Sequence, residues 1–194
     1  MSFSTPYATN GEAPLSGRTR AYPDVSPVPS RTFVTVKPTR FKDDEVLVRV
    51  NVGRGRSSLP TDKSTLSWAQ GAFIEGGARR ISAQDMERAL ASRVYGGRFG
   101  IGDDAFVLSG ETRPEDLDVQ LQVLTAYLTD PGWRPEAFQR LKDAAKTLHD
   151  QYGSTDSGVL SRDLPGLLHS GDSRWTFPSR GEIAGATLDQ FKAV

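Results

Sequence analysis

Residues 46–55 read Val-Leu-Val-Arg-Val-Asn-Val-Gly-Arg-Gly, and the seven before the first glycine alternate in character. Successive strand side chains project to opposite faces, so Val46, Val48, Val50 and Val52 point one way and Leu47, Arg49 and Asn51 the other. One face is wholly apolar and the other mixed, which is the pattern of an antiparallel sheet covered on one side. Upstream, the charged run Lys42-Asp43-Asp44-Glu45 reads as a turn. Before it, Thr32–Lys37 is rich in β-branched and aromatic residues and stops at Pro38, as a further strand would. Downstream, Asp103-Asp104 lies between Gly97–Gly102 and the alternating Ala105–Ser109, the signature of a hairpin.

Helical spacing fills the rest. Thr61 or Asp62 is placed to cap a segment carrying Leu66, Ala69, Phe73 and Ile74, closed by Gly76-Gly77. Ser82 and Asp85 open a second helix with Met86, Leu90 and Val94 inward. Pro114 begins a third, in which Leu117, Leu121, Leu124 and Leu128 form the predicted inner stripe. Pro135 begins a fourth, with Phe138, Leu141, Ala145 and Leu148 inward, and Ser179 and Glu182 have capping-box spacing before a last turn. Clustered strands and clustered helices predict an α+β, two-layer domain, mainly an antiparallel sheet covered on one face by helices.

Composition narrows the function. In 194 residues, 24 Lys/Arg offset 24 Asp/Glu, so a global electrostatic grip on nucleic acid is not expected. There is no cysteine, which removes disulfide scaffolds, thiolate metal sites and cysteine nucleophiles. No apolar run approaches the ~20 residues of a membrane span. Met1–Thr32 lacks the basic-then-apolar layout of a signal peptide. The expectation is a soluble protein of the bacterial cytoplasm or periplasm, with the compartment open. Five of the 12 prolines lie in the first 30 residues among few aliphatics, so residues 1–30 read as an irregular or disordered leader and 31–194 as a single domain.

Several residues carry candidate chemistry. Gly53-Arg54-Gly55-Arg56-Ser57-Ser58 follows a strand and precedes a helix, as a phosphate-cradling turn would. The loop runs on through Leu59-Pro60 without the Gly-Lys-Ser/Thr that phosphate loops carry, which favours a surface turn. His149 and His169 lie 20 residues apart with no second ligand at helical spacing. His169-Ser170-Gly171-Asp172-Ser173 holds the residue types of a hydrolase triad, but such near neighbours cannot form a relay. Glu115, Asp116 and Asp118 sit in a first turn, where they favour the helix dipole. Arg79-Arg80 reads as a solvated basic spot, and Glu75 as either the edge of an apolar helix face or the remnant of a site.

From Phe41 onward the chain resembles the pitrilysin/insulinase family of zinc peptidases, which includes the mitochondrial processing peptidases. The resemblance is spread over ordered segments: Val46–Gly55, Phe73–Gly77, Phe106–Gly110, Arg113–Leu117 through Leu128–Gly132, Phe138–Lys146, and the loop-rich Asp163–Pro165 and Asp172–Trp175. Active members carry an inverted His-x-x-Glu-His motif, in which two histidines hold zinc and the glutamate polarises water. The matching positions here read Ala72-Phe73-Ile74-Glu75-Gly76, and no Glu occurs between Glu136 and Glu182 to complete a ligand set. The resemblance therefore implies a degenerate, non-catalytic half with no metal or cofactor of its own. Zinc is expected in a partner catalytic half, and the two would close on a polypeptide substrate. It also implies that the chain is a piece of a longer two-half protein, and a homodimer or other self-association is expected through faces that the rest would cover. Two other readings stay open: a stand-alone interaction domain with an anion-binding loop at Gly53–Ser58, and an enzyme using Glu75 or the His169 loop.

Overall fold

β1 (Val46–Val52), β2 (Arg98–Ile101) and β3 (Phe106–Thr112) form an antiparallel sheet in the order β1-β3-β2. These elements come from a computed structural model of the chain, which describes residues 35–39, 42–62 and 65–194. Two units divide at Arg40/Phe41. In the first, the described residues 35–39 form no strand, which corrects the expected strand Thr32–Lys37 over its last three residues; its earlier part and the leader 1–30 lie outside the described residues. Everything below concerns the second unit.

The central strand pairs Val48 with Gly110, Val50 with Leu108 and Val52 with Phe106 on one side, and Phe99 with Leu108 on the other. Leu108 is buried, and Val48, Val50 and Phe99 pack with it against α3 (Leu117–Thr129). Leu47 on the other face is 71% exposed. The valine alternation thus sets the buried face at Val48 and Val50, while Val52 at the end of the strand is 47% exposed.

The helices are α1 (Gly71–Glu75), α2 (Ala83–Ala89), α3, α4 (Pro135–Tyr152), α5 (Asp156–Leu168), α6 (Arg180–Gly185) and α7 (Leu188–Lys192). With the one-sided sheet they make the expected α+β arrangement. Two cores hold it together. One packs Leu108, Met86, Val123, Leu124 and Tyr127 between sheet and α3; the other packs Ala69, Ala72, Ala137, Phe138, Ala186 and Phe191 among the helices. Phe73 touches both, its ring centroid 4.7 Å from Phe99 and 5.4 Å from Trp133.

Several local readings change. The first predicted helix is a 3₁₀ turn at Leu66–Ala69 followed by the five-residue α1, and Thr65, not Thr61 or Asp62, precedes it. Val94 lies beyond α2. The inner face of α3 is Gln120, Val123, Leu124 and Tyr127, while Leu121 and Leu128 are 46% and 44% exposed. Two polar anchors rotate the helix: Gln120 exchanges hydrogen bonds with Gly96, its Oε1 accepting from N–H and its Nε2 donating to C=O, both at 2.8 Å. Asp116, one turn earlier, takes the Val94 N–H at 2.8 Å. The segment expected to be loop-rich around Asp163–Pro165 is α5, with Pro165 inside it; Thr155 caps it by accepting from Gly158 N. Ser179–Glu182 forms the expected capping box, and Thr187–Gln190 forms a second.

Candidate functional site

The five positions Ala72–Gly76 occupy α1 and the residue that ends it. α1 is short because Gly77 follows in the left-handed region at φ 66°, where a Cβ would stand 2.5 Å from Ala83 N. Tertiary bonds hold the helix end. Tyr127 Oη donates to Ile74 O at 3.2 Å, and Gly132 N to Gly77 O at 2.8 Å. The Arg134 guanidinium donates to the carbonyls of Gly76, Ala78 (3.0 Å) and Arg79 (3.4 Å). A cation against the last carbonyls of a helix satisfies acceptors that have no intrahelical partner. Burial pushes the Tyr127 phenol up to about 12, so it stays protonated and donating.

Ala72 is 3% exposed and packs in the helical core, beside Phe138 of α4. Gly76 is buried, and a Cβ there would lie 3.4 Å from the backbone nitrogens of Trp133 and Arg134. A methyl group and a hydrogen carry no lone pair, so neither position supplies a metal donor. Glu75 points the other way. It is exposed, and its Oε2 accepts from Arg140 Nη2 at 2.9 Å. The pair lies on an open cleft of about 390 Å³, with Glu87, Arg134 and Glu136 also lining it. An apolar cleft of about 240 Å³ lies among Val52, Phe73, Phe99, Phe106, Trp133 and Phe191.

The other candidates separate. His149 lies on α4 with its Nδ1 3.6 Å from Asp150 Oδ1. His169 caps the end of α5 and stacks on Trp175, centroids 4.4 Å apart. Among the described residues no three of His, Cys, Asp and Glu gather as a metal site. The triad-like run is no relay. Asp172 accepts from Arg174 Nη2 at 2.6 Å and from Arg174 N at 2.9 Å, bonds that lower its carboxyl to about 2, while Ser173 Oγ donates to Thr61 O.

The Gly53–Ser58 loop is a turn packed against the β2–β3 hairpin, the arrangement that its sequence favours. Arg56 N and Ser57 N donate to Gly102 O at 2.8 Å and Asp103 O at 3.0 Å, and the Arg56 guanidinium donates to Arg174 O. These donors hold the β2–β3 hairpin and the segment after α5. Arg79 is also engaged, with Asp130, by an ion pair.

Asp116 is the residue whose role sequence reasoning missed. It is fully buried, receives Val94 N–H, Arg93 Nη1 (3.0 Å) and Arg113 Nε (2.6 Å), and is held at about 2 chiefly by the backbone bond. Glu115 and Asp118 stay on the surface. The available signal was Asp116-x-x-x-Gln120 in line with Val123 and Tyr127, two polar residues on an apolar stripe.

Comparison with known proteins gives a structural likeness alone. No family model matches the chain, and no curated protein sequence matches it. Among solved structures it is similar to the peptidase M16 inactive domain from Pseudomonas fluorescens, at TM-score 0.64 and 13% identity over 78% of this chain and 38% of that one. It is also similar to the ferredoxin protease FusC in complex with Arabidopsis ferredoxin, at TM-score 0.58 and 14% identity over 77% of this chain and 17% of that one. The periplasmic protease PqqL from Escherichia coli gives 0.64 and 16%, over 78% and 17%. The chain thus spans well under half the length of each. Among the described residues no helix is long and apolar enough to cross a membrane. The likeness expected from the sequence is there in three dimensions: the chain has the α+β fold of an M16, pitrilysin/insulinase-type peptidase half-domain.

Proposed function

We propose that this chain is a non-catalytic structural and substrate-binding module of a zinc metalloendopeptidase, dependent on a separate catalytic half for proteolysis. The observation that carries the reading is the chemistry of the helix α1 positions. Ala72 and Gly76 stand where the resemblance puts zinc-binding histidines, and Glu75, where it puts the general base, is paired with Arg140. These residues do not fit a zinc ion: two of the three side chains have no donor atom, and the third is neutralised by a guanidinium. The fold likeness to an M16 inactive domain supports the same reading, and the larger size of the similar chains supports a partner half. That half would hold the zinc and, with this one, enclose a polypeptide.

The test is metal content after dialysis against excess zinc, together with cleavage of an unstructured fluorogenic peptide. The expected result is no stoichiometric zinc and no cleavage by this chain alone. One tightly held zinc per chain, or hydrolysis abolished by Glu75→Gln, would overturn the proposal.

A further inference from the structure

The solvent-facing side of the sheet places Ser109 between two arginines. In the ladder Ser109 pairs with Arg49 of β1 on one side and with Arg98 of β2 on the other. Directly opposed residues share a face, and strands lie about 4.8 Å apart, so the two arginine Cα atoms are roughly 10 Å apart across the serine. This face is turned from the core: both arginines are exposed, whereas Val48, Val50, Phe99 and Leu108 face α3.

Neither arginine has a carboxylate partner among the described residues. Arg49 Nε donates to Asn51 Oδ1 at 3.0 Å, a bond that uses neither of its two terminal amino groups. The nearby acids are otherwise engaged. Glu45 and Glu111 both take Lys42, at the end of the sheet where Glu111 opposes Leu47. The next row of the face is Asn51, Val107 and Gly100, without charge, and a Cβ at Gly100 would touch nothing within 4 Å. Two like charges on the strands that flank β3, a hydroxyl between them and open space beside them complement an anionic group. Guanidinium forks suit a planar carboxylate, which can accept two parallel N–H bonds.

We infer that Arg49 and Arg98, with Ser109 between them, form a carboxylate-binding site that takes an Asp- or Glu-bearing segment of a polypeptide. The inference rests on the polypeptide-binding reading above and names the substrate feature that this face selects.

The experiment is fluorescence anisotropy of a labelled deca-glutamate peptide with the full chain at low ionic strength. Arg49→Ala and Arg98→Ala should each weaken binding roughly threefold, and the double variant about tenfold. A control double variant with the same charge change, Arg79→Ala with Arg88→Ala, should stay within twofold, and a deca-lysine peptide should not bind. All four arginines are exposed, so unchanged circular dichroism is expected throughout. No deca-glutamate binding to the parent, an Arg49/Arg98 double variant within twofold of it, or equal loss in the control would overturn the site. Zinc uptake or cleavage by this chain would overturn the half-domain reading instead, so the two failures are distinguishable.

Discussion

Arg140, on α4, donates from Nη2 to the Glu75 carboxylate at the end of α1, 2.9 Å away and 65 residues earlier in the chain. Just before the start of the same helix, Arg134 serves the same end of α1 through backbone carbonyls. The two arginines differ in what they leave behind when removed. Arg140 and Glu75 are 62% and 41% exposed, so Arg140→Ala should cost less than about 1 kcal/mol. Arg134→Ala strips partly buried carbonyls of their donor and should cost roughly 2–3 kcal/mol. Urea unfolding of both variants checks the contrast, and equal effects would refute it.

Gly110 and Gly100 give a second contrast. A Cβ on Gly110 would stand 2.3 Å from both Gln120 Nε2 and the Gly96 carbonyl oxygen, whereas one on Gly100 meets nothing within 4 Å. Gly110→Ala should therefore destabilise by about 2 kcal/mol or more, through the overpacked strand–helix junction. Gly100→Ala should be neutral or stabilise by up to about 1 kcal/mol, since alanine loses less backbone freedom. Thermal unfolding of the pair reads the difference directly.

The register of α3 makes a third prediction. Leu124 is 2% exposed and Leu121 46%. Leu124→Ala should cost about 2–5 kcal/mol and Leu121→Ala under about 1 kcal/mol. The evenly spaced leucine stripe read from the sequence would make both large, so the measurement decides between the two faces.

Acid should act through Asp116. Its native pKa, at about 2, lies below the ~3.9 of an unfolded aspartate. A lowered native pKa adds stability that is complete above the unfolded value and is lost as pH falls from about 4 towards 2. Asp172 is lowered into the same window by Arg174. Asp116→Asn should flatten the stability–pH curve between pH 4 and 2 and leave the part due to Asp172. An unchanged slope would show that Asp116 is not held ionised in the folded chain.

How far the sequence disclosed all this depends on where each signal is stored. Period-two alternation at Val46–Val52 is local and gives that strand, just as the glycines and alternation on either side of Asp103-Asp104 give the hairpin. Caps such as Ser82–Asp85 and Ser179–Glu182 are equally local. The face of α3 was misread because leucine counts favoured Leu121 and Leu128, while Asp116 and Gln120 fix the rotation through main-chain atoms 22 to 24 residues away. α5 was missed because Pro165 and two glycines weaken its propensity. At the site, the lost donors at Ala72 and Gly76 were legible from residue type. The pairing of Glu75 with Arg140, and the capping of α1 by Arg134, depend on bringing α4 against α1, which no spacing encodes.

Gln120 meets the connection before β2 only through main-chain atoms, the N–H and C=O of Gly96, and Asp116 meets it through the N–H of Val94 as well as the Arg93 guanidinium. Every non-proline residue offers an N–H at position 94, so that half of the joint asks nothing of its own sequence. Two polar side chains, at the cap and in the first turns of α3, thus dictate the path of a distant connection largely through atoms that most residues supply. A fold fastened in this way can keep its shape while position 94 changes, whereas Arg93, paired with Asp116, and Gly96, where a Cβ would stand 3.2 Å from Glu111 N, are held to their own residue types.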